Sequence, residues 1–263
     1  MTTMKRAMRT LWWAAIAALC FAPSAVSQTS VTLTSPPPGD SYDGIYVSPY
    51  FATVGGVANT AVVCDDFADE TSIGSTWNAT ITQFSGMSST NTAWGNAGAA
   101  LTLYNPVAWL TLQVLQQTPG SLGQIIDSYA LWAVFDPTGV ESYLASHPIT
   151  GGSLTTADLC DDIFGGTSGC TTSTASPGSL LYTAENQTYT TGEFANMEII
   201  APDITGSNPA KVCTAGTNCP AQEFISVVSE GGAALAYLFL AGLCCFGAMF
   251  LRSRRQVATL ERT

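Results

Sequence analysis

Four acidic residues crowd one short stretch of the chain: Asp65, Asp66, Asp69 and Glu70, directly after Cys64. Paired carboxylates can hydrolyse a glycoside, one serving as the acid and the other as base or nucleophile. Clustered hard oxygens also suit calcium, so the same four are the calcium candidates, although the regular EF-type spacing is missing. The blander account of such a cluster is a solvated face. Histidine-dependent nucleophilic catalysis would have to use His147, the only histidine, which stands before Pro148 in what reads as a helix-end loop. The chain has no Gly-x-Ser-x-Gly, P-loop or dinucleotide fingerprint. Tyr46, Tyr50, Trp77 and Trp94 could line a sugar-binding surface, with core packing the commoner fate of each. The expectation is therefore no catalytic residues and no enzyme. A carboxylate-dependent envelope glycan hydrolase is the alternative.

Charge narrows the partners. The formal net charge is −11, and between residues 28 and 232 only Lys211 is basic, against 18 acidic residues. Such a segment repels phosphate backbones, which excludes nucleic acid. The other cations sit at the ends. Lys5, Arg6 and Arg9 precede the apolar run from Leu11 to Ala22, and small residues at Ala25 and Ser27 suit cleavage after Ser27, the pattern of a secretory signal over 1–27. Residues 233–251 form an uncharged stretch of nineteen residues followed by Arg252, Arg254 and Arg255. Its length suits a transmembrane helix, with a basic cytoplasmic tail over 252–263 and the body of the chain outside the cytosol.

Export decides how the cysteines read. With Cys20 in the signal and Cys244/Cys245 in the span, Cys64, Cys160, Cys170, Cys213 and Cys219 remain. Disulfides persist outside the cytosol, and loop-rich flanks favour Cys160–Cys170 and Cys213–Cys219 as local bridges. A bridge from Cys64 to Cys160 and a buried Cys64 thiol stay open. Zinc is disfavoured, since there is no CxxC pair and one histidine.

Two resemblances follow from these residues. Val228-Ser229-Glu230-Gly231, then one hydrophobic span, then arginines resembles the PEP-CTERM sorting signal of bacterial exported proteins, with Val and Glu kept and both prolines of its Val-Pro-Glu-Pro absent. That resemblance implies signal peptidase and an exosortase-type protease as processing partners, a membrane-held location with release to the cell surface after processing, and association with exopolysaccharide. A strand-borne Cys64-Asp65-Asp66, with a later helix reading Asp127-Ser128-Tyr129-Ala130-Leu131-Trp132, resembles the thioester domains of surface adhesins. There a cysteine and a glutamine form an internal thioester. Here Ser128 occupies the glutamine position, and Gln124 lies one turn earlier on the same face.

The elements that must hold these residues are legible in part. The Ser/Thr-rich stretch with three prolines over 28–43 reads as an extended lead-in. Strands are expected over 45–47, 50–54, 61–64 and 76–84, with Gly55-Gly56 as a hairpin turn. Asn105-Pro106 and Ser121 start two helices, the second ending at Asp136-Pro137, and shorter helices are expected over 140–146 and 156–164. Further strands are expected over 180–183, 188–191 and 194–200. The expected fold is α+β, a mostly antiparallel sheet with a central helical insert in a domain over 44–222, a linker over 223–232 carrying the sorting-like motif, and one C-terminal transmembrane helix. The expected function is that of a non-catalytic exported cell-surface or extracellular-matrix protein contributing to adhesion, with a thioester-type adhesin as a further alternative.

Overall fold

A computed structural model describes residues 28–35, 41–42, 45–47, 49–67, 71–147, 155–166, 170, 174–202 and 222–228. The polar stretch after Ser27 begins with β1 (Gln28–Ser35), in which Val31 and Leu33 alternate with Ser and Thr and turn inward. After the small pair β2 (Ser41–Tyr42) and β3 (Ile45–Tyr46) come β4 (Tyr50–Val54) and β5 (Val57–Cys64). β4 and β5 form a hairpin around Gly55 and Gly56, both with positive φ, as the Gly-Gly pair predicted. β6 (Thr76–Gln83), β7 (Met197–Pro202) and β8 (Phe224–Val227) complete the set.

The strands close into an antiparallel barrel in the order β1-β4-β5-β8-β7-β6, with β6 returning to β1. This corrects the expected α+β fold, a mostly antiparallel sheet with a central helical insert. Two strands hidden in polar or linker-like sequence make the closure. β1 pairs with both β4 and β6, and β8 bridges β5 and β7 through Cys64 opposite Phe224 and Ile200 opposite Phe224. The strands expected over 180–183 and 188–191 are also corrected. Leu, Ala and Glu favour a helix behind the Ser179 cap, and residues 191–196 form turns.

The helices lie between β6 and β7: α1 (Ala93–Asn96), α2 (Tyr104–Gln116), α3 (Leu122–Phe135), α4 (Pro137–Ser146), α5 (Thr156–Phe164) and α6 (Leu180–Asn186). Local chemistry sets their ends. Ser121 accepts from Gln124 N, Asp136 accepts from Gly139 N ahead of α4, and Thr155 with Asp158 forms a reciprocal capping box. α5 ends at Gly165, whose φ of 80° an L side chain resists. α3 is buried on nearly every face because α2, α4, α5 and α6 surround it.

Strand alternation separates two cores. Val31, Leu33, Tyr50, Ala52, Val62, Cys64, Ala79, Ile200 and Phe224 fill the barrel interior. Val63, Met197, Ile199, Ala201 and Ile225 point outward into the larger core shared with the helices. The Cys160–Cys170 disulfide forms as expected, with Cα atoms 5.3 Å apart, and ties α5 to the following loop.

The membrane-anchored location is also corrected. Among the described residues no helix is long and apolar enough to cross a membrane, and the longest, α3, has 14 residues where a span needs about 20. The signal at 1–27, Ser229, Glu230 and Gly231, the stretch 233–251, Arg252, Arg254 and Arg255, and Cys213 and Cys219 lie outside the described residues. Val228 is described, with its N–H donating to Asn196 O at 2.7 Å.

Candidate functional site

The end of β5 and the start of β8 bring together residues that are some 150 positions apart in the chain. Pleating sends Cys64 and Phe224 to the barrel interior, and Val63 and Ile225 to the helices. One residue further along, the two edges continue as Asp65-Asp66 and Gln222-Glu223, joined by Asp65 N–H donating to Glu223 O at 3.4 Å.

On the helix side lies a buried acidic pair. Glu223 is fully buried, with Oε1 accepting from the Tyr104 hydroxyl of α2 at 2.5 Å and Oε2 from the Ala93 N–H of α1 at 2.6 Å. Asp65 is equally buried, and neither of its oxygens finds a partner at full hydrogen-bonding geometry, although its carboxyl is close enough to couple with that of Glu223. Burial, and then the charges of Glu223 and Asp66, hold Asp65 well above the usual carboxylate range. Burial pushes Glu223 up to about 7, while its two donors pull in the opposite direction. The Tyr104 hydroxyl and the Ala93 N–H both favour the Glu223 anion, so of the two carboxyls Asp65 is the one held more strongly toward its protonated form. Burial and the same carboxylates also raise the Tyr104 phenol.

On the other side is a cleft of about 490 Å³, lined by Tyr46, Tyr50, Cys64, Phe67, Thr71, Trp132 and Gln222 among others. Tyr46 and Ile73 at its walls are two of the few large apolar side chains left exposed. Its floor is held by convergent bonds. The Cys64 thiol and the Gln222 amide nitrogen each donate to Asp66 O at 3.0 Å. Gln222 N–H donates to Thr71 Oγ1 at 2.9 Å, and Trp132 Nε1–H from α3 donates to Cys64 O at 2.9 Å. Phe67 packs between the Tyr129, Trp132 and Tyr143 rings.

The sequence candidates divide accordingly. Cys64 and Asp66 reach the cleft, whereas Asp65 turns away from it, and Asp69 and Glu70 lie outside the described residues. Asp65 and Asp66 are thus buried rather than part of a solvated face. Among the described residues no three acidic, cysteine or histidine side chains converge as a cation site. Ser128 donates to Val47 O, and Gln124 is spent at the α2–α3 turn, accepting from Gly120 N and donating to Val114 O. His147 stacks on Tyr143 at the exposed end of α4. Tyr46 and Tyr50 line the cleft, Trp77 stacks on Phe224, and Trp94 stacks on Phe135. Sequence reasoning missed Gln222, Glu223 and Tyr104, because only the pairing of β5 with β8 places the first two beside Cys64 and Asp65.

No known protein family's sequence profile matches the chain, and no curated protein or solved structure is significantly similar to it.

Proposed function

We propose that this is a non-catalytic exported protein of the cell surface or extracellular matrix, whose barrel-end cleft associates with a neutral exopolysaccharide. The observation that carries the reading is the cleft itself: aromatic walls, an exposed Tyr46, and hydroxyl and amide groups at Thr71, Ser72 and Gln222. Sugar C–H faces pack on aromatic rings while their hydroxyls exchange bonds with such polar groups. No lysine or arginine stands among the described residues, which disfavours anionic polymers. The Cys160–Cys170 bridge suits an oxidising compartment. The fully buried Asp65 and Glu223 offer no access for a glycosidic bond, which weighs against the hydrolase alternative.

Calorimetric titration of the full chain with neutral and uronate-rich polysaccharides tests this. Binding of a neutral polymer without release of reducing ends, weakened roughly tenfold by Tyr46→Ala, is expected. Absence of binding to any neutral polymer overturns it, and release of reducing ends favours the hydrolase.

One observation favours a second reading, the thioester-type adhesin. The Cys64 thiol and Gln222 amide share one acceptor oxygen, so the glutamine that the helix lacks at Ser128 is supplied by the residue before Glu223. Attack of Cys64 Sγ on Gln222 Cδ would form the thioester, and the amide nitrogen would leave with the thiol proton as ammonia. An intact mass one ammonia below that of the sequence, a deficit that disappears in Gln222→Ala, is the expected signature. A full mass in freshly isolated protein refutes it.

A further inference from the structure

The cleft floor and the buried acidic pair share their backbone. Gln222 is next to Glu223 in the chain, and Cys64 and Asp66 flank Asp65, so any movement of the pair is passed directly to three groups lining the cleft. Glu223 also ties this end of the β5–β8 ladder to α1 and α2, by way of Ala93 N–H and Tyr104 O–H. The ladder's last bond, Asp65 N–H to Glu223 O, is long at 3.4 Å. We propose that Asp65 and Glu223 form a proton-operated latch beneath the cleft: one shared proton keeps the β5 and β8 ends docked on α1 and α2, and its loss loosens them and remodels the cleft floor.

Electrostatics gives the latch its direction. Among the described residues the titratable groups facing the pair are Asp66 from the adjoining loop and Tyr104 from α2, neither of which offers positive charge. α1 contributes only the Ala93 N–H, with the Thr92 hydroxyl beside Tyr104. Among the described residues there is no lysine or arginine, and His147 lies at the exposed end of α4. A second negative charge therefore has no counterion among the described residues. Relief requires water to enter, and the long Asp65–Glu223 backbone bond is the weakest point of entry. Regulation of ligand capture by this latch rests on the reading of the cleft as a binding site, whereas the latch itself does not.

Hydrogen exchange on the full chain tests it, with rates normalised for the intrinsic pH dependence of amide exchange. Peptides covering residues 61–67 and 222–227 are followed at about pH 5 and about pH 9. Protection in wild type should fall roughly tenfold or more at the higher pH, and Asp65→Asn, whose amide supplies a permanent donor to Glu223, should abolish that fall. Wild-type protection that is unchanged between the two conditions overturns the latch without any variant. An equal fall in Asp65→Asn and Glu223→Gln overturns it as well. If exchange behaves as stated while neutral polysaccharide binds at neither pH, the latch stands and the cleft reading falls.

Discussion

At the residue scale, Trp132 and the carboxyl pair do different kinds of work. Trp132 Nε1–H satisfies the buried carbonyl of Cys64, and its ring supports Phe67. Trp132→Phe keeps most of the apolar contact but leaves that carbonyl without its donor. The expected cost is about 1–3 kcal/mol in urea unfolding, with the slope unchanged. The carboxyls act through pH. Glu223 is raised from 4.5 to about 7, and Asp65 is raised as well. A carboxyl whose folded value exceeds its unfolded value contributes stability that is fully present below the unfolded value and is lost as pH rises through the folded one. Thermal stability should therefore decline as pH rises from about 4.5 to above about 7, with the coupled Asp65–Glu223 pair accounting for on the order of 3 kcal/mol. Burial raises Asp127, Glu185 and Glu198 in the same direction. The slope should flatten in Asp65→Asn, measured by thermal unfolding across that range. A wild type that gains stability with rising pH would contradict the proton's placement.

At the scale of elements, the disulfide makes the clearest case. Cys160 leaves α5 and reaches Cys170 ten positions on, closing a short loop over the larger core. Replacing both with serine should cost about 2–3 kcal/mol, read as a lower urea midpoint that reductant no longer shifts. This bridge was legible in the sequence because its flanks are local. So were the Ser121 cap, the α3 stop at Asp136, α5 within 156–164 and the Gly55-Gly56 hairpin, each specified by a few neighbouring residues. The barrel was not legible for the opposite reason. In β1 only Val31 and Leu33 distinguish a strand from a solvated Ser/Thr linker, and the short β8 becomes a strand only through partners on β5 and β7. The site inherits that blindness. Cys64 and Asp66 stood out in one motif, but Gln222 and Glu223 carry no local signal at all. Asp65 looked like a surface acid because its burial depends on helices contributed by residues 93 and 104.

At the scale of the molecule, the absence of basic residues from the described barrel and helices decides how the fold tolerates its own charge. Its acids have no lysine or arginine to pair with among the described residues, and the whole chain carries −11. Cohesion must come from the two apolar cores and from backbone and cap hydrogen bonds, while electrostatics acts mainly as self-repulsion. Screening should then stabilise. Raising sodium chloride from ~10 mM to ~300 mM at about pH 8 shortens the reach of that repulsion several-fold and should raise the unfolding midpoint by a few degrees. The gain should shrink at about pH 4.5, where the raised carboxyls have taken up protons and less repulsion remains to screen. A fold held by ion pairs would respond in the opposite sense at neutral pH and lose stability with salt. The comparison at two pH values also separates the exposed acids from the buried pair. Salt reaches surface charges but screens the Asp65–Glu223 pair weakly, so the pH slope attributed to that pair should survive high salt while the remainder of the slope diminishes.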